Sequence, residues 1–196
     1  MENETPLSAE QSLQLIEGMI NKAKNRFSDD SFLYLLWGWV ILICSVGQFI
    51  ILKFSLFNNS GMIWVLTWVA VVVQIIYLVK RKKKEKVKTY ADELIGFLWM
   101  TFGISMLLLT YILGKTNTWA IMYPVVLMMY GIPTFLTGVV MKFTPLKVGG
   151  ISCWALSIIA TFLAPIYMLL LVAIAMLTAW IIPGYLLRNL YKKQVN

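Results

Sequence analysis

The chain of 196 residues contains no histidine, only nine acids and only two cysteines. Without histidine it has no Ser–His pair, no HExxH zinc motif and no histidine ligand for haem. All nine acids lie outside the centres of the apolar runs, and no Walker-type glycine loop is present. Cys44 and Cys153 stand alone within apolar runs, where we expect buried free thiols and no metal site. These absences predict a protein that is not an enzyme and that holds no cofactor.

Charge is also scarce, at 13% of residues, whereas 60% are hydrophobic. A soluble domain is about a quarter charged and about half apolar. The excess apolar residues fall in runs of about 20, the length at which a helix crosses a ~30 Å hydrocarbon core. No pattern typical of a removable signal peptide precedes the first run. The sequence therefore predicts an all-α membrane protein whose chain crosses the bilayer several times.

The apolar runs number six, which predicts a six-helix bundle. Residues 58–61 and 114–117 are polar turns, residues 142–147 form a basic connection, and a tight turn is needed near Ala164 and Pro165. The predicted organisation is an N-terminal segment (1–30), the bundle (31–188) and a tail (189–196). The predicted spans are about 32–56, 62–79, 91–113, 118–141, 148–164 and 165–187.

A basic run separates the second span from the third and predicts the orientation of the chain. Basic side chains are retained on the cytoplasmic side of a membrane. Under the six-span prediction, fifteen of the seventeen lysines and arginines lie on one side, and only Lys53 and Lys115 lie on the other. Both termini are therefore expected in the cytoplasm. The basic run consists of Lys80, Arg81, Lys82, Lys83, Lys84, Lys86 and Lys88.

Residues 7–27 have the pattern of an amphipathic helix that precedes the membrane. Ser8 and Gln11 have the spacing of a capping box, and residues 29–31 are expected to end this helix and cap the next one. The apolar residues recur at intervals of three and four, as in a short coiled-coil seam. Such a seam suits packing on the chain's own spans, the headgroup layer, or docking of a second copy or another protein. The apolar seam consists of Leu13, Ile16, Ile20, Ala23 and Phe27.

Four polar residues are candidates for a functional site. Asp92 and Glu93 open the third span, where acids either mark a cation path or stabilise the positive end of the helix dipole. Gln48 and Gln74 lie within spans one and two, at levels too different for a bond between them. Each glutamine therefore needs another partner or a hydrated cavity. The partners we expect are Thr101, Ser105, Thr134 or a backbone carbonyl.

Tryptophans and tyrosines are expected at two depths. Trp180 falls near the inner interface, where amphipathic rings are enriched. Trp68, Trp99, Tyr130 and Trp154 fall deeper, and we expect these four to pack between helices.

Two further patterns concern packing. In the odd-numbered spans a charged residue precedes a tryptophan by seven positions, which indicates either three hairpins descended from one unit or chance recurrence. In spans four to six, small residues recur every three or four positions, which favours close helix packing within the chain. The charged and tryptophan pairs are Asp30 and Trp37, Asp92 and Trp99, and Lys147 and Trp154. The small residues are Gly131, Thr134, Gly138, Gly149, Cys153, Ser157, Ala160, Ala164, Ala175 and Ala179.

Several stretches resemble a family of small bacterial membrane proteins that carry no assigned activity. They are Tyr130 to Phe135, Phe143 to Trp154, Pro183 to Tyr185, and the N-terminal helix from Ser12 to Phe27. The resemblance covers most of the chain, and its motifs are structural. It implies a helical bundle of the bacterial inner membrane and names no substrate or catalytic residue.

The features other than plain apolar helix lie mainly on the basic side of the predicted bundle. This favours a non-enzymatic scaffold or regulatory partner that acts through its cytoplasmic face. One alternative is a carrier or channel for a small solute or ion, with Asp92, Glu93, Gln48 and Gln74 along its path. Another is a lipid-binding protein. The expected partners are the bilayer, anionic headgroups at the basic run, and a protein or second copy at residues 7–27. Nucleic acid is not expected, because the bases flank membrane spans.

Overall fold

The computed structural model describes residues 9–56, 59–84 and 90–195, with side chains over 31–56, 59–80 and 93–189. These ranges contain helices and turns and no strand. Two 3-10 turns lead into α2 and α4, and a π-helical segment joins α6 to α7. The elements are α1 (Ala9–Phe54), a 3-10 turn (Ser60–Trp64), α2 (Val65–Lys84), α3 (Tyr90–Thr116), a 3-10 turn (Trp119–Ile121), α4 (Met122–Val140), α5 (Thr144–Ala160), α6 (Pro165–Met176), the π segment (Leu177–Ile181) and α7 (Ile182–Val195).

Five helical stretches are long and apolar enough to cross a membrane, and a sixth apolar helix is shorter. The short one, α5, has 17 residues, so it extends about 26 Å. The predicted all-α bundle is confirmed, and the protein is a multi-pass membrane protein. The five long stretches are Ser31–Phe54, Ser60–Lys80, Glu93–Thr116, Trp119–Val140 and Pro165–Asn189, the last formed by α6, the π segment and most of α7.

The two ends of the bundle differ. Successive crossings are antiparallel, so the start of α1, the end of α2, the start of α3 and the end of α7 lie at one end, which we name the basic end. At the opposite end, the turn end, only a few residues separate successive helices. Ser55 and Asn117 close α1 and α3 there with φ of 49° and 55°. This left-handed conformation is the usual way for a helix to stop.

Helix α1 differs from its prediction. We expected residues 29–31 to end one helix and cap another, but the backbone is helical without a break from Ala9 to Phe54. Asp and Ser cost an α-helix interior only a few tenths of a kcal/mol, so a capping signal alone does not stop a helix. In addition, α5 begins at Thr144, so most of the predicted connection 142–147 is helix. The turn predicted near Ala164 is confirmed, because α6 begins at Pro165.

The core lies between α1, α4, α5 and the last crossing. We compare the most apolar 18 residues of each crossing. More than half of these residues are buried in the last crossing, whereas 6% are buried in the second crossing, which contains α2, and 0% in α3. Helix α2 packs along α1, and α3 packs along α4. Each of these two outer helices therefore shows most of its circumference to the surroundings, which in a membrane is lipid.

Small residues let the core helices approach closely. A Cβ built on Gly149 would lie 2.6 Å from the Cα of Ala179 in the π segment, and one on Gly150 would lie 2.8 Å from the Cα of Phe135 in α4. Real Cβ atoms do not come this close to a backbone. Because apolar side chains gain little by leaving lipid, such van der Waals packing is a main source of helix association in a membrane. The predicted close packing of small residues is confirmed where Gly149 meets Ala179, whereas Gly150 was not among the predicted residues. Cys44 and Cys153 are both buried free thiols.

Candidate functional site

Trp180 is the centre of an aromatic cluster in the half of the bundle nearer the basic end. Only 4% of its surface is exposed. Its ring lies edge-on to Trp99 of α3 at 5.1 Å, to Tyr130 of α4 at 5.5 Å and to Tyr34 of α1 at 6.0 Å between centroids. Phe102 of α3 completes the cluster through Tyr130, at 4.9 Å. Edge-to-face rings at these distances attract one another beyond simple burial, so this one side chain joins four crossings.

The π segment is the local reason for the position of Trp180. Five residues, Leu177–Ile181, form the wider turn, and Pro183 follows closely. Proline supplies no backbone N–H, so the helix before it must rearrange its hydrogen bonds. Gly38 of α1 and Gly149 of α5 flank the segment, and a Cβ on Gly38 would lie 3.3 Å from the Cβ of Trp180. The two glycines therefore let α1 and α5 approach the π segment closely. Single π turns occur often at functional sites.

Hydroxyl groups connect the same helices beside the cluster. The indole Nε1 of Trp180 donates to Thr134 Oγ1 at 3.3 Å, and Ser152 and Thr178 share a hydrogen bond of 2.9 Å between α5 and the π segment. Ser157 of α5 donates to the carbonyl oxygen of Pro124 at 2.7 Å. Thr137, one turn along α4 from Thr134, is fully buried, and its hydroxyl has no partner among the described residues.

Two tryptophan–glutamine bonds join α1 to the second crossing. Trp37 of α1 donates to Gln74 Oε1 of α2 at 2.7 Å, and Trp64 donates to Gln48 Oε1 of α1 at 2.7 Å. The donors come from opposite helices, so each crossing holds the other at two levels. Tyr123 at the start of α4 also donates to Gln48, at 2.9 Å. Gln48 therefore ties three crossings together.

These partners were not the expected ones. We predicted that the glutamines would bond to Thr101, Ser105, Thr134 or a backbone carbonyl, but both amide oxygens accept from aromatic side chains. Thr101 instead donates to the carbonyl oxygen of Phe97 in its own helix, at 2.8 Å. Lipid offers an indole N–H no partner, so pairing it with an amide oxygen removes two unsatisfied polar groups at once.

Replacing Gln48 by Met should cost more stability than replacing Gln74 by Met. Methionine keeps the length of the side chain and removes the acceptor. Q48M therefore leaves the donors of Trp64 and Tyr123 unpaired, whereas Q74M leaves only that of Trp37 unpaired. At about 0.6 kcal/mol for each interhelical bond, with a maximum of about 1.7, we expect a loss of about 1–2 kcal/mol for Q48M and half of that for Q74M. The measurement is the free energy of unfolding in mixed micelles titrated with dodecyl sulfate.

The double variant Q48M/Y123F supplies the control for this comparison. Q48M already removes the acceptor of the Tyr123 hydroxyl. Adding Y123F to Q48M should therefore cost less stability than Y123F costs in the unaltered protein. A Q74M loss equal to that of Q48M would contradict the proposed double role of Gln48.

The structure separates the polar residues that the sequence singled out. Gln48 lies towards the turn end, whereas Glu93 is exposed at the basic end, where α3 enters the apolar zone. Lys80 is exposed at the end of α2. The side chains of Asp92 and of the rest of the basic run lie outside the described ones, as do those of the apolar seam, whose backbone belongs to α1. The functional roles proposed for all of these residues stay predictions.

Among the described residues, the interior offers hydrogen-bonding groups and no charged ones. Within the described crossings the polar side chains are amides, hydroxyls and indoles, while the described lysines, Arg188 and Glu93 lie near or beyond the ends of the apolar stretches. Among the described residues no group of three potential metal ligands occurs. What this arrangement does is fix the positions of α1, α4 and the last crossing relative to one another.

Fold and interior together define an integral membrane protein of the all-α class, built as a multi-pass helical bundle. No protein-family profile, curated protein or solved structure matches the chain. The resemblance to a family of small bacterial membrane proteins therefore stays a prediction.

Proposed function

We propose that this protein is a non-enzymatic docking protein of the bacterial inner membrane, a scaffold or regulatory partner that acts through its basic end. The observation that carries the proposal is the continuity of α1. Twenty-two helical residues, 9–30, precede the apolar stretch Ser31–Phe54 in one helix. At 1.5 Å per residue this extension is about 33 Å long, far longer than any connection at the turn end.

Continuity of α1 bears on where the apolar seam can lie. A helix in the headgroup layer runs roughly parallel to the membrane plane, and a spanning helix runs roughly across it. Changing from one direction to the other requires a break, and α1 has none between Ala9 and Phe54. This favours an extension that projects from the bundle, with its seam available to a protein.

The other helix extensions are too short to cover this seam. Helix α2 continues four residues past Lys80, and α7 continues to Val195, seven residues past Arg188. These lengths correspond to about 6 and 10 Å, whereas Ile16 lies fifteen residues, or about 22 Å, before Ser31. The proposal therefore assigns the outer part of the seam, Leu13, Ile16 and Ile20, to contact with another chain.

The distribution of bases supports a cytoplasmic position for this extension. Fifteen of the seventeen lysines and arginines belong to the basic end in the six-crossing topology, and the turn end has only Lys53 and Lys115. Such an asymmetry is typical of a cytoplasmic face. The partner would then be a cytosolic protein or the cytosolic part of another membrane protein.

A photo-cross-linking amino acid at position 16 should form a discrete protein adduct in cells, whereas the same group at position 14 should not. At about 100° per residue, Gln14 lies about 160° round the helix from Ile16, on the face opposite the seam. The two variants differ only in the face that carries the reagent. Mass spectrometry of the adduct identifies the partner.

An adduct to a cytosolic protein, abolished by Ile20→Asp, would support the proposal. Equal adducts at positions 14 and 16, or adducts to lipid alone, would contradict docking through the seam. An adduct to a protein of the opposite compartment would contradict the orientation. An adduct to a second copy would show that the partner is the protein itself.

A further inference from the structure

The apolar seam of α1 has the repeat of a coiled coil. Leu13, Ile20 and Phe27 recur every seven residues, and Ile16 and Ala23 recur between them, so they occupy positions a and d of the heptad. The backbone of α1 is helical without a break over the whole stretch. One register therefore applies to every residue of the extension, and the positions beside the seam can be assigned.

Charged residues occupy one flank of the seam. Glu10, Glu17 and Lys24 take the three e positions of the extension. At 100° per residue, positions seven apart differ by only about 20° round the helix and by about 10 Å along it, so the three form one line. From the far end of the extension towards the membrane this e line has the order acid, acid, base. On the other flank, the g positions are Ser12, Met19 and Arg26, of which one is charged.

A second copy of the chain does not complement the e line. Two copies in one membrane have the same orientation, so their extensions would pair in parallel. In a parallel pair an e position meets the g position five residues earlier in the other helix. Glu17 would then meet Ser12, and Lys24 would meet Met19. Neither residue carries an opposite charge, so a second copy leaves these two charges of the e line unpaired.

We infer that the seam binds an amphipathic helix of a different protein, parallel to α1, with basic residues opposite Glu10 and Glu17 and an acidic residue opposite Lys24. The inference rests on the docking function proposed for α1 and specifies the partner. Charges beside a seam select the partner and its direction, whereas the apolar positions supply most of the affinity. The same helix in the antiparallel direction would bring its acid to Glu10 and a base to Lys24, and like charges at these positions disfavour that pairing.

Three synthetic helices of about twenty residues, added to the purified full-length protein in a neutral detergent, test this charge order. The complementary peptide has leucine at a and d and, from its N-terminus, Lys, Lys and Glu in successive heptads at e and g. The reversed peptide has the same leucines with Glu, Glu and Lys. The third peptide repeats residues 9–28 of the chain and represents a second copy. Fluorescence anisotropy of the labelled peptides measures binding.

The complementary peptide should bind at least about tenfold more tightly than the reversed peptide at low salt. In about 0.5 M salt the difference should fall to about twofold or less, because ions screen exposed charge pairs. The peptide of residues 9–28 should bind no more tightly than the reversed peptide, because it offers the e line no opposite charge.

Two variants locate the preference in the e line. E17K/K24E should make the reversed peptide the tighter binder, since it exchanges two of the three charges. Lys22→Glu changes a charge by the same amount at a position about 135° round the helix from the centre of the seam, and should leave the preference within about twofold.

Ile20→Asp separates a failure of this inference from a failure of the docking function. Equal binding of the complementary and reversed peptides, lost from both in Ile20→Asp, would overturn the charge order and leave docking through the seam intact. Tightest binding by the peptide of residues 9–28 would also overturn the inference, since the occupant would then be a second copy. Binding of none of the peptides would contradict docking through the seam as well.

Discussion

Trp180→Ala should destabilise the bundle by about 3–5 kcal/mol, the range for truncating a buried aromatic side chain. The ring contacts Tyr34, Trp99 and Tyr130, which come from three different helices, so its loss leaves a cavity where four crossings meet. Lipid-soluble helices associate by such packing contacts, and a cavity removes them directly. The measurement is again the free energy of unfolding in mixed micelles titrated with dodecyl sulfate.

Two controls show whether the ring contacts are responsible. Trp180→Phe keeps a ring and loses the 3.3 Å bond to Thr134, so it should cost much less, about 1–2 kcal/mol. Trp68→Ala truncates a tryptophan of α2 that is 66% exposed, and should change stability by no more than about 0.5 kcal/mol. A loss at Trp68 equal to the loss at Trp180 would mean that tryptophan truncation acts through the micelle and not through the cluster.

These two tryptophans show what the sequence could not predict. Depth alone places Trp180 near the inner interface and Trp68 in a packed interior. Trp68 is 66% exposed, so its predicted packing between helices is wrong, and depth gave no sign that Trp180 is the buried centre of a cluster. Position along a crossing gives depth in the membrane, but the face of a helix that meets its neighbours depends on the arrangement of all six. Large apolar residues cover most of the circumference of α2, and only Thr67, Ala70 and Gln74 mark the face that packs on α1.

The all-α architecture, in contrast, could be predicted well, and five of the six predicted spans correspond to helical stretches that are long and apolar enough to cross a membrane. Each crossing needs about 20 apolar residues, and the chain offers six such runs separated by polar, glycine-containing or proline-containing turns. Backbone hydrogen bonds must be satisfied within the segment in lipid, which leaves the helix as the only choice for these runs. Length and composition therefore predict the helices, whereas they say little about lateral packing.

The glutamine partners agree with the antiparallel geometry of the first hairpin. In an antiparallel hairpin, residues that lie level have numbers with a nearly constant sum. Trp37 with Gln74 and Gln48 with Trp64 both sum to about 112, which places each pair at one level on either side of the turn. Gln48 and Gln74 sum to 122, about ten more than either bonded pair, so the two glutamines lie at different levels.

Gly149→Leu should separate α5 from the π segment, and Cys153 can report this locally. A side chain at position 149 would collide with the backbone at Ala179, and the hydrogen bond between Ser152 and Thr178 spans the same interface. Neighbouring backbone cannot yield without moving the whole helix, so we expect a loss of about 2–3 kcal/mol, at the upper end for overpacking. Cys153 lies on the same face one turn along and is fully buried.

Labelling of the two free thiols with a small maleimide makes the Gly149→Leu test specific. Cys153 should react at least about tenfold faster in the variant, whereas Cys44, buried between α1 and the turn that leads into α2, should keep its slow rate. Gly96→Leu adds the same side chain at an open position of α3 and should leave both rates nearly unchanged without lowering the stability. Equal acceleration of both thiols would show that the variant unfolds as a whole. Unchanged labelling of Cys153 would contradict the close contact between α5 and the π segment, on which the position of Trp180 depends.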